Sequence, residues 1–173
     1  MLPSLVSGRQ MVTHNPYAVE AAFLRNFAHY VTWPPKAFSE SQSEWHIGIL
    51  GRDPFGGVLE EILTVKAEQG RDFVVFRAEN LEDLPQCQII YIAYNDAGRR
   101  RAVLNTLKDK PVLTVSEAAD FLNDGGVIQF HVGDRVSMSI NLDQAKRSML
   151  HIQTKMLEVA SEILENGVVR RMR

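Results

Sequence analysis

Apolar residues recur at three- and four-residue spacing between Pro16 and Val31, at Val19, Phe23, Phe27 and Tyr30 or Val31, and predict a helix that Pro34 and Pro35 terminate. After a polar stretch at 38–44, the short runs Trp45 to Leu50, Phe73 to Phe76, Ile89 to Ala93 and Val112 to Val115 read as strands. Helical patterns at Pro54 to Val65 and Ala97 to Lys108 lie between them. Strands alternating with helices in this way predict a parallel sheet covered on both faces. The pattern then changes. Val127 to Val132 and Arg135 to Ile140 alternate apolar and polar positions around Gly133-Asp134, the signature of a two-residue hairpin and of an antiparallel edge. Leu142, Ala145, Met149, Ile152, Met156, Ala160 and Ile163 then form one stripe, predicting a long closing helix with Gly167 as its C-terminal cap. The expected fold class is α/β, a three-layer sandwich of a mostly parallel sheet with an antiparallel C-terminal hairpin at one edge and helices on both faces.

The junction Gly51-Arg52-Asp53-Pro54-Phe55-Gly56 is the most constrained-looking stretch, because a strand stops at Gly51 and a helix pattern follows it. Asp53 suits an N-cap and Pro54 the first helical position. Helix N-termini attract anions, yet no Lys-Ser/Thr follows these glycines and no G-x-G-x-x-G is present. The Asp53 carboxylate would also occupy the N–H groups a phosphate needs, which favours a structural junction. Arg52 is the residue able to support a binding reading, since its planar fork can meet a carboxylate or phosphate beside the loop.

Composition narrows the classes. The 173 residues, 45% hydrophobic and 23% charged, suit one domain with a substantial core. We expect a flexible segment or signal remnant at 1–16, one domain at 17–166 and a basic tail at 167–173. A formal net charge of −2 argues against a general nucleic-acid binder, and the runs Arg99 to Arg101 and Arg170 to Arg173 read as solvated surface. No stretch approaches the roughly 18 apolar residues of a membrane span. The start of the chain lacks the basic and apolar regions of a complete secretory signal.

Reactive constellations are sparse. His14, His29, His46, His131 and His151 show no H-x-x-x-H or H-E-x-x-H spacing, so no metal is expected. No G-x-S-x-G elbow is present, and no cofactor is implied. Asp53, Asp72, Asp83 and Asp96 invite comparison with a phosphoacceptor domain, but Asn95-Asp96 reads equally well as a helix cap. Cys87, the single cysteine, has no partner for an internal disulfide and precedes an apolar strand, where a buried thiol is the ordinary reading.

Taken in order, AAFLRNFAHYVTWP, ILGRDPFG, CQIIYIA, VLTVSE, GGVIQFHVGDRVSMSIN and the closing apolar stripe resemble the YfiR family over roughly Tyr17 to Glu165. The resemblance implies a periplasmic, non-enzymatic regulator that forms homodimers, binds the sensor region of a membrane-bound diguanylate cyclase and represses cyclic di-GMP synthesis, and so biofilm formation. A histidine kinase sensor is the other partner of this kind. The family pattern falls on Arg52, Asp53, Phe55 and Arg135, taken as ligand- or partner-binding residues, and on Gly51, Pro54, Gly56, Cys87 and Asn141, taken as structural. Many relatives carry a second cysteine at the position of Gly48, able to pair with the one matching Cys87; its absence here removes that bridge. A different class of function is a small-ligand receptor module feeding a membrane sensor or transporter, since open α/β sheets bind ligands beyond the carboxyl ends of their strands.

Overall fold

The computed structural model describes residues 15–172, so the segment read as a signal remnant lies almost wholly outside the described residues. Helix α1, Pro16–Tyr30, starts where the Asn15 side chain accepts from the Tyr17 N–H, with Pro16 in the first turn, and ends as Val31 turns extended. It buries Glu20, Ala21, Leu24, Phe27 and Ala28. The buried face is therefore rotated from the one read off Val19 and Phe23, which stay partly exposed.

Strand β1 is Val31–Thr32, and a 3-10 turn at Pro35–Ala37 leads to β2, Trp45–Gly51. Then come α2 (Val58–Leu63), β3 (Phe73–Ala78), a second 3-10 turn (Leu81–Asp83), β4 (Ile89–Ala93), α3 (Ala97–Leu107) and β5 (Leu113–Ser116). The remaining elements are β6 (Ile128–Val132), β7 (Val136–Asn141), α4 (Leu142–Arg147), β8 (His151–Ile152), α5 (Thr154–Val159), β9 (Glu162–Glu165) and β10 (Val168–Arg171). Eight strands form the main sheet in the order β10-β9-β7-β6-β5-β4-β2-β3, and β1 pairs with β8 apart from it. From β3 through β6 every pairing is parallel, as the alternation of strand and helix requires.

Register carries one apolar row across the sheet: Ile47 opposes Ile89 and Ile89 opposes Leu113, while Ile128 opposes Ile140 and Ile140 opposes Ile163. All are buried. Because successive strand residues face opposite ways, Ile89 and Tyr91 join the larger core under α1 and α2, and Ile90 and Ile92 join a smaller one against α3. Both faces are thus covered.

The C-terminal third departs from the sequence reading. The β6–β7 hairpin is present, but Val132 opposes Val136, so its turn holds the three residues 133–135 rather than Gly133-Asp134 alone. It is not the edge: β9 pairs parallel to β7, and the β9–β10 hairpin closes the sheet. No single closing helix forms. Helix α4 stops at Ser148, Met149 takes a left-handed φ of 61° and is exposed, and the Leu150 N–H bonds back to the Ala145 carbonyl. The 3-and-4 spacing that suggested a helix comes instead from two short helices and two strands that each press apolar residues on the same core, a pattern periodicity alone cannot separate. Gly167, read as a helix cap, sits in the β9–β10 turn at φ 75°, and Val168–Arg171 of the stretch read as a basic tail form the exposed edge strand β10.

Candidate functional site

Strand β2 leaves the sheet at Gly51, whose φ is 90° and whose added Cβ would lie 2.9 Å from the Tyr94 ring and 3.1 Å from the Ala93 backbone. Only glycine fits there. The chain then folds on Asp53: its Oδ1 accepts from the Phe55 N–H at 2.8 Å and its Oδ2 from the Gly56 N–H at 3.2 Å. This is a closed turn rather than a helix cap, because Gly56 takes a φ of 57° and stops any helix begun at Pro54. Helix α2 starts only at Val58, preceded by Gly57.

Arg77 of β3 latches this turn. Its Nε donates to Asp53 Oδ2 at 2.7 Å, its Nη1 and Nη2 to the two Glu60 oxygens at 2.6 and 2.9 Å, and Nη2 also to the Gly56 carbonyl at 3.0 Å. Hydrogen bonding to Arg77 holds the Glu60 carboxyl below its ordinary range. With Asp53 occupying two loop N–H groups and Arg77, the loop itself offers no cradle for phosphate.

Phe55 is buried, its ring edge-on to Tyr17 at 5.8 Å and to Tyr91 at 4.9 Å. Beneath these rings lies an acidic pair. The Tyr91 hydroxyl stands 2.8 Å from Glu20 Oε1 and 3.3 Å from Glu117 Oε2, and Glu20 and Glu117 are close enough to share a hydrogen bond. Glu20 is fully buried, and burial first, then the neighbouring Glu117, pushes its carboxyl up to about 9. It is therefore the protonated member of the pair at neutral pH, since two carboxylates this close cannot both ionise cheaply. Its Oε2 is buried without a hydrogen-bond partner, as a neutral carboxyl tolerates better than a carboxylate.

A crevice of about 320 Å³ opens at the carboxyl ends of β4 and β5, with Arg52, Pro54, Tyr17, Tyr91, Arg100 and Glu117 among its walls. It lies where the sheet order turns back on itself: β2 leads through α2 to β3 on one side, while β4 leads through α3 to β5 on the other. Ligand sites of open α/β sheets form at such switch points. Arg100 is 9% exposed; its Nη1 donates to the Tyr94 and Asn95 carbonyls, and its Nε is buried without a partner.

Of the residues singled out in the sequence, Arg52 lines this crevice and is exposed, Asp53 is committed to the latch, and Phe55 packs behind the wall. Arg135 lies apart, exposed on the β6–β7 turn. Asn141 caps α4, its side chain accepting from the Gln144 N–H at 2.9 Å and donating to the Leu122 carbonyl at 3.1 Å. Cys87 is buried, and burial pushes its thiol up to about 12, far from thiolate reactivity. It floors a separate groove of about 820 Å³ between the Leu81–Gln86 strap and α3.

Glu20, Tyr91, Arg100, Glu117 and Arg77 were not identified from the sequence. Glu20 had a legible signal: it lies four residues before Leu24 on the buried side of α1, where a carboxylate is out of place. Arg77 and Arg100 had none, because each acquires its role from a partner brought in by the fold. Among the described residues, no three His, Cys, Asp or Glu side chains are grouped to hold a metal ion, and no helix is long and apolar enough to cross a membrane. A family model described as YfiR/HmsC-like (DUF4154) matches residues 17–161.

Proposed function

This chain belongs to the YfiR/HmsC-like family, whose members are periplasmic regulators of cyclic di-GMP signalling, and from that premise we propose that it represses a membrane-bound diguanylate cyclase by binding the cyclase's periplasmic sensor region. The family match, which spans the sheet from α1 to the turn before β9, is the observation that carries this reading. The chemistry of the site supports it. Asp53 is tied into its own loop, Cys87 is held as a thiol, and Glu20 is sealed under tyrosines, so the groups most able to react are spent on structure.

A repressor of this kind works only by binding the inactive form of its partner more tightly than the active form; equal affinity shifts no equilibrium. A tenfold suppression of output requires a differential of about 1.4 kcal/mol. The regulator acts as a homodimer, so each partner copy meets an equivalent surface.

The test is a deletion strain complemented with two versions of the protein. Loss of the gene raises cellular cyclic di-GMP several-fold, and only a version exported to the periplasm restores it. Unchanged cyclic di-GMP on deletion, or full rescue by a version confined to the cytoplasm, overturns the proposal. Recovery of a histidine kinase as the cross-linked membrane partner replaces the cyclase in the reading.

A further inference from the structure

Arg100 is a buried cation without a counter-ion. Its Nη1 is held by two backbone carbonyls, Tyr94 at 2.8 Å and Asn95 at 3.0 Å, its Nε has no partner at all, and among the described residues no carboxylate lies within ion-pair reach of it. Burying an unpaired guanidinium is costly, and a buried donor without a partner calls for a group to satisfy it, an ion among them. The crevice is the opening through which that partner can come, and Arg52 on its other wall is a second cation with no ion pair among the described residues.

Glu117 shares the wall but does not cancel this charge. Its nearest hydroxyl, that of Tyr91 at 3.3 Å, gives its proton to Glu20 Oε1 at 2.8 Å, and among the described residues Glu117 makes no ion pair with Arg100 or Arg52. The crevice walls therefore carry two cations without an ion pair among the described residues, one of them with a buried, unpartnered Nε.

We propose that this crevice is a binding site for a small anion, a carboxylate or phosphate group, held by the Arg100 and Arg52 guanidinium groups between the ends of β2, β4 and β5. Two guanidinium groups on one opening supply the charge-assisted donors that a carboxylate or phosphate accepts. Size sets the scale of the ligand: about 320 Å³ is the room of roughly ten water molecules, which suits a small metabolite and not a polymer. The Asp53 turn closes the loop N–H groups to the anion, so the arginines are its principal donors. Arg100 is thereby fixed to the end of β4, where occupancy reaches the sheet directly. The site does not depend on the identity of the protein partner.

Thermal shift and isothermal titration with sodium phosphate and sodium succinate, each against sodium chloride at matched ionic strength, test the site. At least one of the two anions raises the melting temperature beyond the chloride control and binds with saturable heat; which one does so identifies the anionic group. Arg52→Ala, at an exposed position, weakens that binding at least tenfold. Arg100→Met abolishes it. Because removing Arg100 can also disturb the Tyr94–Asn95 backbone, Ala119→Trp serves as the second variant: it fills the crevice from an exposed wall position and abolishes binding while leaving the fold intact by circular dichroism. The inference fails if neither anion exceeds the chloride control, or if Arg52→Ala and Ala119→Trp both bind as the wild type does.

Discussion

Replacing Glu20 by Gln isolates the energetic consequence of the buried acid. The glutamine is nearly isosteric: its carbonyl keeps the Tyr91 hydroxyl bond now made by Oε1, and its amide stands beside Glu117 where the neutral carboxyl stood. Only the titratable proton is removed. Glu20 ionises near 4.5 when unfolded and near 9 when folded, so between those values the folded state holds a proton that the unfolded state releases. The folded pKa lies above the unfolded one, which makes the contribution fully favourable below about 4.5 and progressively lost as pH rises toward 9. Each pH unit in that window costs the wild type about 1.4 kcal/mol, so by pH 7 the penalty relative to a non-titrating group is about 3 kcal/mol. For a chain of this size that corresponds to roughly 6–12 °C in melting temperature. Urea and thermal denaturation of both proteins at pH 5, 7 and 8.5 read this directly. We expect near-coincident curves at pH 5 and a glutamine variant that becomes the more stable by a margin growing with pH. A gap that stays constant across the three values, or a variant that is the weaker one at pH 8.5, refutes a protonated Glu20.

Three further outcomes follow from particular contacts. A Cβ built on Gly48 lies 3.1 Å from the Cys87 sulfur, close to the distance of about 3 Å between a Cβ and the far sulfur of a disulfide; Gly48→Cys therefore oxidises to a bridge once the flexible end of Leu84, 2.8 Å away, rotates aside. Thiol titration of the unfolded oxidised variant finds no free sulfhydryl, and the bridge adds up to about 4 kcal/mol over the reduced form, whereas two titratable thiols after oxidation contradict the geometry. Arg77→Ala removes the latch on the 51–56 turn and costs about 1 kcal/mol, with faster amide exchange at Phe55 and Gly56; unchanged exchange there would show that Asp53 holds the turn unaided. Gln88 is fully buried, donating to the Ala37 carbonyl at 2.6 Å and accepting from the His46 N–H at 2.8 Å and the Gln42 amide at 2.9 Å, so Gln88→Leu strands these groups and lowers stability by roughly 3 kcal/mol in urea titration, a value under 1 kcal/mol being inconsistent with those bonds.

The parallel half of the fold was legible because each of its elements carries its own signal: β-branched runs for β2, β4 and β5, and Asp96 before α3, whose side chain accepts from the Arg99 N–H at 2.7 Å. The C-terminal third was not, because Met149, Ile152 and Met156 keep helical spacing while serving an exposed turn, a short strand and a short helix. Periodicity records which residues reach the core, not the path the backbone takes between them. The candidate site divides in the same way. Gly51 and Asp53 advertise a turn through local chemistry, whereas the Arg77 latch joins residues 24 positions apart, and the Tyr91–Glu20 bond joins residues 71 positions apart. No local pattern encodes such pairings. Arg135, grouped with Arg52 by resemblance, sits on a different turn of the structure.

The most direct trial of the account is the rate of cyclic di-GMP synthesis by membrane vesicles bearing the diguanylate cyclase that cross-links to the chain, with GTP supplied at the catalytic face and the purified chain supplied at the sensor face. Repression predicts a saturable fall in synthesis that appears only when the chain is on the sensor side. A rate unaffected at saturating concentration contradicts it.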